Sequence, residues 1–186
     1  MGGMVTTWNP RLLSLVGSSR SRFSLTTSVA STVSDIAFSV TNVYARADHS
    51  LTTDFVDDMM SLVPSIHGAW LVVGDFNLIR HPCEKNNDRF DVGRASVFNS
   101  LINAMAWFEL PLMDRRFTWS NKRDPPTLER LDRAFFDSNR DSLFPDSALA
   151  SQPMATSDHF PLVVSVSTPI PSAGLFFIEN SWLLDP

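Results

Sequence analysis

At 186 residues, with 44% hydrophobic content and 14 phenylalanines, the chain has the length and apolar mass of one globular α/β domain, not of a disordered segment. Twenty acidic against 15 basic side chains give a formal charge of −5, which excludes a uniformly basic nucleic-acid coat but not a nuclease, whose site needs carboxylates and only a local basic patch. The single cysteine, Cys83, excludes an internal disulfide framework, no apolar run approaches the ~18 residues of a membrane span, and residues 1–22 lack a secretory signal pattern. The expected setting is therefore nuclear or cytoplasmic, with neither a membrane nor a disulfide partner.

The first 39 residues read as short β segments, 4–8 and 23–26, separated by a Ser/Arg-rich turn. Residues 36–44 alternate with period two and predict a strand that ends on Tyr44, the only tyrosine. Asp48 offers a helix N-cap, and Leu51, Phe55, Met59 and Leu62 recur at helical spacing, closed by Pro64 and Gly68. Residues 69–77 follow, an apolar run ending in Gly74-Asp75-Phe76-Asn77. This pattern predicts a buried strand with a bend at Gly74, after which Asp75 and Asn77 share one face while Phe76 enters the core. A carboxylate able to take a proton or hold a metal thus stands beside an amide able to hold an oxyanion.

Residues 81–88 read as a polar loop, in which Cys83 has no histidine–acid arrangement to activate it. A second helix is predicted over 95–108, with Phe98, Leu101, Ile102 and Met105 on one stripe. Phe117-Thr118-Trp119 reads as a strand joined through Asp124-Pro125-Pro126 to a second strand over 128–136. Residues 139–149 read as a helical or irregular cover, and the turn Ser157-Asp158-His159 leads into the alternating run 163–166. Arg115, Arg116, Lys122, Arg123, Arg130 and Arg133 form a local basic concentration able to meet phosphate. Prolines at 169 and 171 divide a domain over 1–168 from a linker over 169–186.

Thr41-Asn42-Val43-Tyr44, Gly74-Asp75-Phe76-Asn77, Arg116-Phe117-Thr118-Trp119-Ser120-Asn121, Arg130-Leu131-Asp132-Arg133 and Ser157-Asp158-His159 occur in an order that resembles the endonuclease/exonuclease/phosphatase superfamily. More closely, the chain is similar to the endonuclease region of plant LINE-type (non-LTR) retroelement polyproteins, from about residue 2 to residue 182. The resemblance implies an α/β sandwich of two packed mixed or antiparallel sheets flanked by helices, here lacking its first strands. It implies a divalent-metal-dependent phosphodiester hydrolase that nicks DNA, with Mg2+ or Mn2+ as cofactor. In that reading His159 contacts a phosphoryl oxygen or moves a proton, held by Asp132, and Asp75 orients or deprotonates the attacking water. Asn77 and Tyr44 contact the phosphate, Asp158 helps hold the metal region, Arg115 and Arg116 bind substrate, and Thr118 braces the site.

Two departures from the family pattern stand out. Ala45-Arg46 replaces the common Gly-Pro, which predicts a displaced loop, and no glutamate precedes Tyr44, where the principal metal-binding glutamate is expected. The alternative expectations are a catalytically silent remnant with weak nucleic-acid contact, or a phosphatase or lipid phosphodiesterase of the same superfamily.

Overall fold

The computed structural model describes residues 3–62, 68–138, 144–153 and 156–166. Its frame is a six-stranded sheet in the order β1 (Leu13–Arg20), β2 (Ser24–Ser31), β3 (Ala37–Tyr44), β4 (Ala69–Asp75), β8 (Asp132–Phe136), β5 (Phe108–Glu109). Only β3 and β4 run parallel; the crossover between them carries α1 (Thr52–Met60). A parallel neighbour cannot be reached by a tight turn, so this crossover sends both chain ends, Tyr44 and Asp75, to the same edge of the sheet.

Helix α1 and α2 (Val92–Ala104) cover one face of the sheet. Phe55 and Met59 from α1, and Phe98, Leu101 and Ile102 from α2, pack on Val43, Trp70, Val72 and Phe135. Phe76 lies at the centre of this core, 5.1 Å from Phe135 and 5.5 Å from Phe98 between ring centroids. Each such fully buried ring contributes ~2–3 kcal/mol of transfer free energy. The polar groups that β2 and β3 bring under the helices satisfy one another: Thr26 bonds Thr41, Ser28 bonds Ser39, and the Trp70 indole donates to Thr41.

The opposite face presents Leu71, Val73, Ala134 and Phe136 to a two-stranded layer, β9 (Ala148–Ser151) paired with β10 (Leu162–Ser165). Two strands cannot cover six, and a cavity of about 390 Å³ lined by Leu71, Val73, Ala134, Leu149, Leu162 and Val164 remains between the layers. A third small sheet, β6 (Trp119–Ser120) with β7 (Leu128–Glu129), stands at the sheet edge where Tyr44 and Asp75 emerge.

Several expectations are corrected. Residues 4–8 form no ladder; the Ser/Arg-rich stretch expected as a turn is instead strand β1, an edge strand with a register shift between Leu15 and Gly17 that leaves Leu15 and Val16 exposed. The second helix begins earlier, capped by Asp91, and ends at Ala104 because Ala106 takes a positive φ of 49°, which carries Phe108 into β5. The strand expected over 128–136 is two strands in different sheets, broken at Arg130-Leu131. Leu149 lies in β9, not in an irregular cover. Pro64, residues 139–143 and the proposed linker 169–186 lie outside the described residues.

Candidate active site

Strand β4 delivers Asp75 directly opposite Asp132 of β8 and beside Tyr44 of β3. Gly74 permits this crowding: its φ is 139°, and a Cβ there would strike the backbone of Val43. After Asp75 the chain is not extended, as expected, but turns at Asn77 into a left-handed conformation with φ 47°. Asn77 thereby folds back on Asp75. Its backbone N–H donates to Asp75 Oδ1 at 2.9 Å, and its Nδ2 donates to Asp75 Oδ2 at 2.7 Å and to the Ala45 carbonyl at 2.7 Å. The Ala45 N–H donates in turn to the Asp75 carbonyl at 2.8 Å, which ties the start of this loop to the site.

His159 reaches this pair from the small sheet. Residues 158–160 run along β6, with the Ser120 N–H on the Asp158 carbonyl and the Phe160 N–H on the Thr118 carbonyl. The Thr118 hydroxyl, fully buried, accepts from the N–H groups of both Leu131 and Asp132 at 3.0 Å. It replaces the ladder partners lost where the chain leaves β7 for β8. One threonine therefore fixes both the Asp132 backbone and, through Phe160, the strand that carries His159.

The three side chains form a line. His159 Nδ1 lies 2.9 Å from Asp132 Oδ2, and Nε2 lies 3.9 Å from Asp75 Oδ2. The hydrogen bond and charge of Asp132, opposed by burial and aided by Asp75, hold His159 above its ordinary 6.5. Burial, and then the Asp132 charge, push Asp75 up to about 6 despite its bonds from Asn77. His159 thus keeps its proton to higher pH than a free imidazole, and Asp75 releases its proton near 6, well above an ordinary carboxyl. Asp158 departs in the opposite sense: its Oδ2 accepts from the Trp119 indole at 3.0 Å, which lowers its pKa.

These groups open into a pocket of about 630 Å³ whose walls include Tyr44, Asp75, Asn77, Trp119, Asp158 and His159. Five of the residues singled out in the sequence, Tyr44, Asp75, Asn77, Asp158 and His159, therefore meet at one cavity, with Asp132 and Thr118 behind His159. Both Nδ2 hydrogens of Asn77 are engaged by protein, so its amide orients Asp75 and leaves only its oxygen for other contacts.

The expected basic cluster disperses. Arg115 and Arg116 do not line this pocket: the Arg115 guanidinium lies over the Phe160 ring at 3.5 Å and donates to Ser151, and Arg116 donates to the Cys83 carbonyl. Arg133 is fully buried, bonded through both terminal nitrogens to Glu84 and through one of them to Glu109, and Arg130 also pairs with Glu109. Of the six, Arg123 reaches the pocket wall. Trp119 and Glu129 line the pocket without having been singled out; Trp119 stands inside the Thr-Trp segment and was legible there as the residue next to Thr118.

The oxygen donors that the pocket offers a divalent cation are the carboxylates of Asp75, Glu129 and Asp158. Among the described residues no three histidine, cysteine or acidic side chains converge as a metal cradle. Each of these carboxylates has a protein partner as well, Asp75 in Asn77, Glu129 in Lys85 and Asp158 in Trp119.

No family model matches the chain, and no curated protein matches it. Solved structures do. The endonuclease domain of TRAS1, a telomere-specific non-LTR retrotransposon, superposes with a TM-score of 0.57 at 15% identity over 78% of this chain, which spans 64% of that domain's length. D. rerio TDP2 complexed with a single-strand DNA product gives 0.52 at 15% identity, covering 81% of this chain and 67% of that one. An endonuclease/exonuclease/phosphatase family protein from Bacteroides thetaiotaomicron gives 0.50 at 12% identity, covering 84% and 66%. With packed sheets, flanking helices and a polar pocket at one sheet edge, the chain has the α/β-sandwich fold of the endonuclease/exonuclease/phosphatase proteins.

Proposed function

We propose that this chain is a phosphodiester-hydrolysing domain of the endonuclease/exonuclease/phosphatase superfamily, acting on DNA and derived from a retroelement endonuclease. The observation that carries the reading is the line Asp132–His159–Asp75 opening into one polar pocket. Hydrolysis of a phosphodiester needs a deprotonated water, relief of charge on the phosphoryl oxygens and a proton for the leaving alkoxide. His159, whose protonated form Asp132 favours, presents Nε2–H to a phosphoryl or leaving oxygen. Asp75, held by Asn77, accepts the proton of the attacking water once it is ionised. Tyr44 faces the same cavity from β3 and supplies a hydroxyl to the phosphate.

The likeness to a non-LTR retrotransposon endonuclease domain and the Thr-Trp and Leu-Asp-Arg segments support the retroelement branch over the phosphatase branch. Magnesium or manganese is the cofactor the resemblance implies; such an ion neutralises charge on phosphoryl oxygens. Because the described residues form no three-ligand cradle for it, turnover is expected to be slow. The domain spans 1–168, and 169–186 serves as a linker.

The test is nicking of supercoiled plasmid with Mg2+ or Mn2+ in excess. The reading predicts relaxed circles from the wild type and at least a ~100-fold lower rate from His159→Ala; equal rates would overturn it. The same missing cradle favours a second reading, a silent remnant, for which wild type and variant would both remain at background while still binding an oligonucleotide.

A further inference from the structure

The pocket continues into a smaller cleft. His49, Asn77, Glu129 and Leu131 line both the catalytic pocket and an adjoining space of about 60 Å³, whose outer wall is Lys85, Arg89, Asp91 and Arg94. The charges of this wall do not cancel. Lys85 is paired with Glu129, and Arg94 Nε with Asp91 at 3.1 Å. The two terminal nitrogens of Arg94 carry no partner among the described residues, and Arg89, also exposed, meets no carboxylate within ion-pair distance there. The field of Arg94 reaches the shared wall: after burial, its charge is the largest influence holding His49 below its ordinary value. In a chain of net charge −5, the unpaired Arg89 and the outward terminal nitrogens of Arg94 leave an excess of positive charge beside the catalytic pocket.

We propose that Arg89 and Arg94 form a second phosphate subsite, seating the phosphate next to the reacting one, so that the site takes a nucleic acid strand and not an isolated phosphate ester. The inference rests on the function proposed above and names its substrate class. A guanidinium fork suits a phosphate oxygen pair, and both groups are exposed at the rim, where a strand leaving the pocket over Asn77 meets them. Neither residue touches the reacting phosphate; together they set how many phosphates the protein reads.

The test is binding without turnover. Fluorescence anisotropy of fluorescein-labelled dodecathymidylate is measured in EDTA from 50 to 200 mM KCl for three full-length proteins: the wild type, Arg89→Gln/Arg94→Gln, and Arg11→Gln/Arg20→Gln. The last removes the same charge from β1 and the residues just before it, three strands from the Asp75 strand in the sheet order. Two lost phosphate contacts predict a log–log salt slope shallower by about 1.4 and roughly tenfold weaker binding at 50 mM for the first double variant. The second double variant should stay within about twofold of wild type. Equal effects of the two double variants, no effect of either, or no binding by the wild type would each overturn the subsite. The two readings fail separately: a plasmid that is never nicked while the Arg89/Arg94 effect persists rejects the hydrolase and leaves the subsite.

Discussion

Replacing Asp75 by asparagine should make the protein more stable above neutral pH and less stable in acid. Asp75 is 13% exposed, and burial with the facing Asp132 raises it from 3.8 in the unfolded chain to about 6 in the fold. Below pH 3.8 the carboxyl is protonated in both states and its charge costs nothing. Between 3.8 and about 6 the unfolded chain has released a proton that the fold retains, so stability declines as pH rises, and above about 6 the loss is complete. At ~1.36 kcal/mol per pH unit the cost of the ionised side chain is about 3 kcal/mol. The amide removes that cost. It also loses one acceptor, because an NH2 now faces Asn77 Nδ2, and this forfeits about 1 kcal/mol at every pH.

The balance is a gain of about 2 kcal/mol at pH 8, or roughly 4–8 °C in Tm for a domain of this size, and a loss of about 1 kcal/mol at pH 3.5. Urea unfolding of both proteins at pH 3.5 and pH 8, in EDTA, measures the two differences. Groups common to both proteins cancel, so the change between the two pH values isolates Asp75. A difference that is the same at both pH values would refute the claim that the pocket holds this carboxyl against ionisation.

Three further outcomes follow from the same geometry. The nicking rate should rise as pH passes about 6, where Asp75 ionises, and fall above the elevated value of His159; Asp132→Asn should move only the alkaline limb to lower pH, read as initial rates over pH 5–9. Thr118→Val strands the buried N–H groups of Leu131 and Asp132 and should cost about 2–4 kcal/mol in urea unfolding, whereas Thr118→Ser should recover most of it. Arg133→Met leaves Glu84 without its bidentate partner and should cost about 3 kcal/mol, with part restored in the double variant Arg133→Met/Glu84→Gln; full additivity in that pair would contradict a shared buried network.

What the sequence disclosed was mostly local. Gly74, Asp75 and Phe76 were readable because each has one job that its side chain dictates: a backbone approach that admits no Cβ, a strand-end acid and a ring for the core. His159 and its partner Asp132 were readable only through the resemblance that Ser-Asp-His and Leu-Asp-Arg carry, since no local pattern announces a contact across 27 residues. The left-handed turn at Asn77 was not visible, since asparagine is compatible with both extended and left-handed backbone, and its fold-back onto Ala45 depends on a loop 32 residues upstream.

Arg133 illustrates a different failure. Grouping it with Arg130 and the Arg115–Arg116 pair by sequence proximity ignored strand parity: the neighbour of Asp132 in a strand must face away from the pocket, here into a buried network with Glu84 and Glu109. Strand β1 was missed because Ser-rich alternation carries little hydrophobic signal at an exposed edge. The division of 128–136 between two sheets is set by Thr118 and by the Arg130 N–H on the Glu84 carbonyl, contacts of long range that no local pattern announces.

The central claim is that Asp132, His159 and Asp75 make one phosphate-facing unit. Its most direct test is a pH titration of the His159 ring by 15N NMR in histidine-labelled protein, with and without inorganic phosphate. The account predicts a midpoint above 6.5 that falls in Asp132→Asn, and ring resonances that shift when phosphate is added. A midpoint unmoved by the Asp132 substitution, or a ring indifferent to phosphate, would contradict it.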